Sequence, residues 1–494
     1  MTPFLAVQAS RSSRNRLLMT KRKGKVLLIT GGGLVVLAIL VLLFGAKGLK
    51  SRVVATASKA LGMDVQVRGG VGVSLFPALG ASIADIVVAN GGSEVATVAK
   101  AKVGLKLLPL ITGKVRISRL ELVKPAISIV RLKNGKLNIE TPRGKSSGIP
   151  VSLQKLAVSQ GSLHFTNLES GGGMVLEGVD IAAGNISTGG TPGEGPMKTL
   201  SFTGDVRCHT IKAGGVLIAD LVLQVEGKKG VVDVSKARMT VFGGPGNATL
   251  HADFTGDKPR YKMLFAVKQL KIERLLQESP NSKNMAGLAD LSADLTASGK
   301  TIVEMKRTLR GQASLNGENI ALNGMDIDDL ISSLIRSQRF SLVDVGAFFL
   351  AGPLGPALNR GYRFADLFQD SQGGKGVIAK LVSVWKVDHG VAEAVDVAMA
   401  TKKRRIAMKG GLNFNDNRFE DVVVAVVDQH GCALLTQKVR GPFGRPEMGN
   451  VNVLKSLTSP VTSLLRSVGK LFSNKPCEVF YAGSVAAPED GKRP

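Results

Sequence analysis

Cysteine is nearly absent, and the three present, Cys208, Cys432 and Cys477, are too few and too scattered for a disulfide framework. At most one intrachain disulfide can form, and no CxxC or Cys/His spacing suggests zinc. Histidine is equally thin: His164, His209, His251, His389 and His430 stand far apart, none with a second His or Cys at ligand spacing. Aromatic residues make up only 4% of the chain, and without basic and aromatic residues interleaved on one platform a single-strand stacking surface is unsupported. There is no P-loop, and no Asp or Glu occurs before Asp64. No cofactor and no metal follow from this inventory.

What the chain has is glycine, 59 residues of it, and Val, Leu, Ile and Ala in short alternating runs. That profile predicts many short strands and turns. At 494 residues it is long enough for several domains or one elongated architecture. The net charge of +27 raises the question of nucleic acid. Its distribution answers against it, because eleven basic residues, Arg11 to Lys59, flank a single apolar segment with no acidic residue among them.

That segment, Val26 to Ala46, runs 21 residues without a charge, enough to cross a bilayer core as a helix. It is longer than the roughly 7–15-residue apolar core of a signal peptide and continues into Lys47, so it reads as an uncleaved anchor. Seven basic residues precede it and three follow closely, which places the N-terminus in the cytoplasm and nearly the whole chain outside it. Met19 opens MTKRKGK, itself a conventional start, so either Met1 or Met19 serves as the first residue.

Beyond the anchor, Gly48 to Leu61 predicts a short helix ended by Gly62. Strands follow at Val65 and Val67, Val71 to Leu75, Ile83 to Val88, Lys100 onward, Val151 to Val158 and Leu163 to Phe165, read as an antiparallel meander. The clearest alternation sets Ala99, Ala101, Val103, Leu105 and Leu107 on one face and Lys100, Lys102 and Lys106 on the other. Further strands carry Leu221, Leu223 and Val225, then Ala248, Leu250, Ala252 and Phe254, then Tyr261, Met263, Phe265 and Val267, and the last run from Val377 to Val439. Helices are predicted at Ile272 to Glu278, Ile302 to Leu309 and Met325 to Ser337. Two prolines in Gly346 to Leu358 argue for a re-entrant or core-covering segment rather than a second span, and Leu454 to Leu471 has the stripe of an amphipathic helix.

Catalytic signatures are weak. SxxK occurs at Ser152, Ser383 and Ser467 without its companion motifs; AVSQG, Ala157 to Gly161, lacks the first glycine of a nucleophile elbow. Gly374, Gly376 and Ala379 satisfy GxGxxA without a βαβ context. Asp388 and His389 are adjacent and sit before Gly390, where a turn between strands is expected; neighbours on a strand point to opposite faces, which disfavours a dyad. The reading is of a protein that is not an enzyme.

SLFPALGASIADIVVAN and LKLLPLITGKVRISRLELVKPAISIVRLKNGKLNIE resemble the AsmA family of bacterial envelope proteins. Pro77, Leu108, Pro109, Leu110, Gly113, Leu120, Pro125, Gly135 and Asn138 stand at the pattern's proline, LPL, glycine, second proline and final G-x-x-N. The resemblance resumes at ASGKTIVEMKRTLRGQASLNGENIALNGMDIDDL and KGGLNFNDNRFEDVVVAV. It implies a bacterial inner-membrane, single-pass protein with a periplasmic body, acting in outer-membrane biogenesis. Related long proteins form a β-groove that carries phospholipid acyl chains.

The combined expectation is a mainly β chain with some helices, an elongated curved antiparallel sheet or groove behind the anchor. Its divisions are a basic tail (1–25), the anchor (26–46), an N-terminal β region (47–186), a middle β region (187–290), a C-terminal β region (291–448) with a helical insertion near 325–370, and a terminal helix and tail (449–494). Phospholipid is the expected partner, with Ala99, Ala101, Val103, Leu105 and Leu107 as groove wall and Lys100, Lys102 and Lys106 as headgroup contacts. The alternative is an assembly factor or scaffold that offers sheet edges to envelope proteins.

Overall fold

The computed structural model describes residues 49–74, 80–105, 117–140, 152–169, 171–189, 195–275, 285–324, 326–329, 331, 374–443, 445–453 and 477–488. The predicted anchor, Leu107, Lys106, the Gly346 to Leu358 segment and the Leu454 to Leu471 stripe lie outside them. No helix among the described residues is long and apolar enough to cross a membrane. The chain divides into two compact units, residues up to Thr240 with Ala248–Tyr261, and Val241–Asn247 with everything from Lys262 onward.

The first unit opens with helix α1 (Leu49–Leu61). Gly62 ends it at φ 67°, a left-handed conformation that glycine adopts without a Cβ penalty. Strands β1 (Asp64–Val67) and β2 (Val71–Ser74) both pair antiparallel with β3 (Gly80–Asn90), which pairs with β4 (Ser93–Leu105), and β4 with β5 (Ile117–Arg131). The segment after β5 turns at Gly135 (φ 78°) and returns along it. There Asn138 holds the strand from the side: its Oδ1 accepts from Val130 N at 2.8 Å and its Nδ2 donates to Ser128 O at 3.0 Å. The G-x-x-N of the sequence is thus a loop clamp that brings Ile139 under the sheet.

Strand β6 (Ser152–Asn167) then pairs with β5 in parallel. The antiparallel meander read from the sequence is wrong at this step. A parallel pair needs a crossover connection, and the loop read at Thr141 to Pro150, which would carry it, lies outside the described residues. The antiparallel order resumes through β7 (Gly172–Thr188), β8 (Leu200–Ala213) and β9 (Val216–Lys228), and β10 (Val231–Val241) pairs with β9. The two short runs predicted at Val151 and Leu163 are one strand.

The two-residue alternation is interrupted at the same level in seven strands. Side chains resume the inner face after three residues instead of two at Ile83/Ile86, Val98/Ala101, Leu122/Pro125, Val158/Gly161, Leu176/Val179, Cys208/Ile211 and Ile218/Leu221. Left-handed residues mark the line: Asp85 (φ 52°), Lys124 (φ 50°), Gln160 (φ 53°), Gly178 (φ 64°) and Asp220 (φ 50°). Such extra residues bend a strand. At Gln160 the turn-out is supported locally, its N donating to Asp180 Oδ1 at 2.8 Å.

Strands β11 (Gly244–Asp253) and β12 (Arg260–Lys271) follow. The second unit continues with a single turn α2 (Ile272–Leu275), β13 (Met285–Ser298), α3 (Ile302–Thr308), β14 (Arg310–Asn323), β15 (Lys375–Asp388), β16 (Val391–Ala400), β17 (Arg405–Asn413), β18 (Arg418–Val427) and β19 (Ala433–Pro442). These strands pair antiparallel in chain order from β13 to β19. The short β20 (Glu447–Met448) and β21 (Asn452–Val453) lie along β19. Both faces of β15–β18 are closed. On one, Val382, Ala398, Ala407 and Ala425 pack with Tyr481 and Val485 of the C-terminal segment; on the other, Leu381, Met399, Ile406 and Val426 are equally buried.

The C-terminal segment is strapped down by several independent bonds. Cys432 and Cys477 form a disulfide, one of the three pairings open to three cysteines, and Cys208 is left free. Arg405, buried itself, donates to Val485 O at 3.0 Å and to Asp428 O at 2.6 Å, and its guanidinium lies over the Tyr481 ring. The Tyr481 hydroxyl donates to Asp396 Oδ1 at 2.5 Å and accepts from Val485 N at 3.0 Å. Replacing Cys432 and Cys477 together by Ser is expected to destabilise the second unit by about 2–4 kcal/mol and to release amide protection in residues 477–488, read by hydrogen exchange, while the first unit keeps its protection.

Burial, with the Asp396 hydrogen bond adding to it, holds the Tyr481 phenol above its ordinary pKa. Its contribution is therefore complete below about pH 10, the unfolded value, and is lost as pH rises through the folded one. The stability of the second unit, read by urea denaturation at each pH, should fall in that alkaline window in the native chain, and Tyr481→Phe should remove that share of the fall.

Candidate functional site

Paired residues on adjacent strands carry their side chains on the same face, so the register assembles the sequence's separate alternations into rows. One row runs Ile83–Ala101–Leu122–Val158–Ile181–Val206–Leu223 across β3 to β9. Beyond the kink line a second runs Ile127–Leu163–Leu176–Ile211–Ile218 across β5 to β9. The opposite face is polar, with Asp205, Arg207 and Asp180 exposed and His209 Nδ1 within 3.1 Å of Asp220 Oδ1.

The cover over this apolar face is uneven. At β3 to β5, α1 and the segment carrying Leu137 and Ile139 close it: Ala57, Leu61, Ile83, Ala101 and Ile139 belong to one buried cluster. From β6 to β9 the closing layer stops. Val158, Ile181, Val206 and Leu223 are half-exposed, as are Leu163, Leu176, Ile211 and Ile218. Among the described residues, every substantial contact of β6, β7 and β8 with another element is with a neighbouring strand. The result is an apolar face of the width of several strands, closed at one end and open beyond it.

The residues singled out from the sequence fall on both sides of this division. Ala101 and Val103, 2% and 3% exposed, lie on the apolar face but at its closed end. Ala99 does not join them. It sits on the kink line opposite Lys124, where the three-residue step turns it out of the face, and it is exposed. The Leu105 side chain and all of Leu107 and Lys106 lie outside the described residues. Lys100 and Lys102 are exposed on the polar face, where Lys102 Nζ pairs with Glu121 Oε2 at 3.3 Å. What the sequence reading missed is the open part on β6–β9, signalled in each strand by an apolar pair three residues apart around Gln160, Gly178, His209 and Asp220.

Cys208, at the kink on the same face, is buried, and that burial pushes its thiol above the ordinary range despite bonds to Glu177 O and Thr210 O. It is not an activated nucleophile. The SxxK serines at 152 and 383 lie on strands, where a lysine three residues on points to the other face; Ser383 Oγ accepts from Trp385 Nε1 at 2.7 Å. Gly376 and Ala379 are likewise within β15. Asp388 and His389 do meet, contrary to the strand argument, at 3.0 Å, and Arg310 touches both at 3.0 and 2.6 Å. The reason is that His389 is in the turn at φ 48°, not on the strand. The trio is exposed.

A scan against family models matches the AsmA family model over residues 19–193 and 198–348. The chain belongs to the AsmA family. That is an envelope-associated and in general non-enzymatic family, and the match includes all the strands that build the apolar face of this AsmA-family chain. Comparison with curated proteins and with solved structures finds no match.

The uneven cover has a measurable signature. Ile83→Ala, in the closed end where Ile83 is 1% exposed, should cost about 2–5 kcal/mol. Ile181→Ala, in the same row but half-exposed, should cost under about 1 kcal/mol. Denaturation of the two variants followed by hydrogen exchange in β3 and β7 reads the difference; equal losses would mean that Ile181 is covered.

Proposed function

We propose that this chain is an inner-membrane-anchored periplasmic protein that binds glycerophospholipid acyl chains on the open apolar face of β6–β9 and supports outer-membrane assembly, without catalysing a reaction. The observation that carries the reading is the row from Val158 to Leu223, apolar, in register and half-exposed. Five strands from β5 to β9 span about 19 Å at the usual strand spacing, and a single acyl chain reaches across half a bilayer core, about 15 Å. One chain laid across the strands along the kink therefore fits the face.

Family membership supports a role in envelope biogenesis or lipid transport. The disulfide between Cys432 and Cys477 supports an oxidising compartment, and with it the periplasmic side of the anchor at 26–46. The scaffold reading, which needs a free sheet edge, has less to stand on. In the first unit the edge at β3 is occupied by β1 and β2, four residues each, and in the second the edge at β19 is occupied by β20 and β21, two residues each.

The test is mass spectrometry of lipid that co-purifies with the full chain. Glycerophospholipid is expected with the native protein, and Val158→Asp, Ile181→Asp and Val206→Asp together should lower it about tenfold at unchanged yield and unchanged near-UV circular dichroism. A native chain without lipid, or a triple variant that retains it in full, would overturn the reading.

A further inference from the structure

Helix α3 shows the reverse of ordinary burial. Ile302 is 74% exposed and Val303 59%, and no residue of the seven is buried. Yet the helix is firmly fixed by polar bonds. Thr301 Oγ1 accepts from Glu304 N at 3.1 Å, and Glu304 Oε2 accepts from Lys300 N at 3.0 Å, a reciprocal cap. At the other end Thr308 Oγ1 donates to Ser298 O at 2.5 Å and accepts from Ser298 N at 2.8 Å. Lys306 Nζ donates to Phe414 O at 3.2 Å, and Gly390 N donates to Leu309 O at 3.0 Å. The fold holds the knob without using its two aliphatic side chains.

Around that pair the charge is one-sided. GKTIVEMKRTLR, residues 299–310, carries Lys300, Lys306, Arg307 and Arg310 against Glu304 alone. Arg310 is engaged with Asp388, and Lys306 with Phe414 O, but Lys300 and Arg307 are exposed and form no ion pair among the described residues. Two exposed aliphatic side chains flanked in sequence by two free cations match the boundary between headgroups and acyl chains of an anionic bilayer. A folded protein partner fits less well, since a specific interface takes about 800 Å² from each side and α3 offers two aliphatic side chains on about two turns of helix.

We propose that α3 is a membrane-docking knob, which inserts Ile302 and Val303 into the surface of an anionic bilayer with Lys300 and Arg307 on its phosphates. This rests on the exposure and charge of α3 and stands apart from acyl-chain binding on β6–β9. In the native chain Cys208 is buried and Cys432 and Cys477 are disulfide-bonded, so Val303→Cys introduces the accessible thiol for an environment-sensitive fluorophore. The labelled full chain, held in amphipol, is mixed with phosphatidylethanolamine–phosphatidylglycerol vesicles or with phosphatidylcholine vesicles.

Emission should rise about threefold and shift to the blue with the anionic vesicles alone, and decline as salt screens the cations. Lys300→Glu with Arg307→Glu should abolish the rise, and a label at the exposed Lys236→Cys of β10 should stay silent. The proposal is overturned if the Val303 label is silent, if it responds equally to phosphatidylcholine, or if the Lys236 label responds as strongly. It is equally overturned if the signal follows protein concentration without vesicles, which marks a second copy, or needs a soluble protein added in place of lipid.

Discussion

A sheet whose side chains sort into one apolar and one polar face must find something to lay over the apolar side, and in the first unit that cover stops after β5. Helix α1 and the Asn138-clamped segment close the face over β3 to β5, where Ile83 and Ala101 are in a dry cluster. From β6 onward the rows continue in register, and among the described residues the substantial contacts of β6, β7 and β8 are with neighbouring strands alone. The shared kink line is what allows the face to continue at all. An extra residue in one strand alone would throw its remaining side chains to the wrong side; matched extra residues in seven neighbours keep apolar with apolar on both sides of the line.

The second unit meets the same requirement by closing. Ala398, Ala407 and Ala425 leave room for the strap, and Tyr481 and Val485 fill it, while Leu381, Met399, Ile406 and Val426 are buried on the reverse. A single disulfide, the Arg405 guanidinium and the Tyr481 hydroxyl hold the strap by bonds from its two ends and its middle. Its sheet is made from the same antiparallel hairpins and carries the same left-handed interruptions, at Asn319 (φ 52°) and Asp421 (φ 46°) among others. The difference between open and closed therefore lies in the covering segments, not in the strands.

Period and turn chemistry made the strands legible: Val65 and Val67, Leu221 to Val225 and Ala248 to Ala252 all alternate as their residues predict, and the helices beginning at Leu49 and Ile302 stand where spacing put them. Two kinds of information were out of reach. Parallel pairing of β5 with β6 is a relation between two strands, and neither strand's own alternation records the direction of its neighbour. The fate of Ala99 depends on Lys124 and Asp85 in other strands, so a strict two-residue reading of its own strand misplaced it. Ala101 and Val103 were assigned to the right face but not to its closed end, because burial by α1 is a tertiary fact.

An apolar face left open in water is a liability, since uncovered patches and free edges invite association. This chain blunts the edges, with β1 and β2 on β3 and with β20 and β21 on β19. It leaves the face. Covering Val158, Ile181, Val206 and Leu223 with a further helix like α1 would be a small addition to a chain of 494 residues, and each half-exposed aliphatic side chain so covered would add on the order of 1 kcal/mol. Stability alone argues for that addition, and the described residues do not make it; that gap between what the strands offer and what covers them is the physical ground of the acyl-chain proposal.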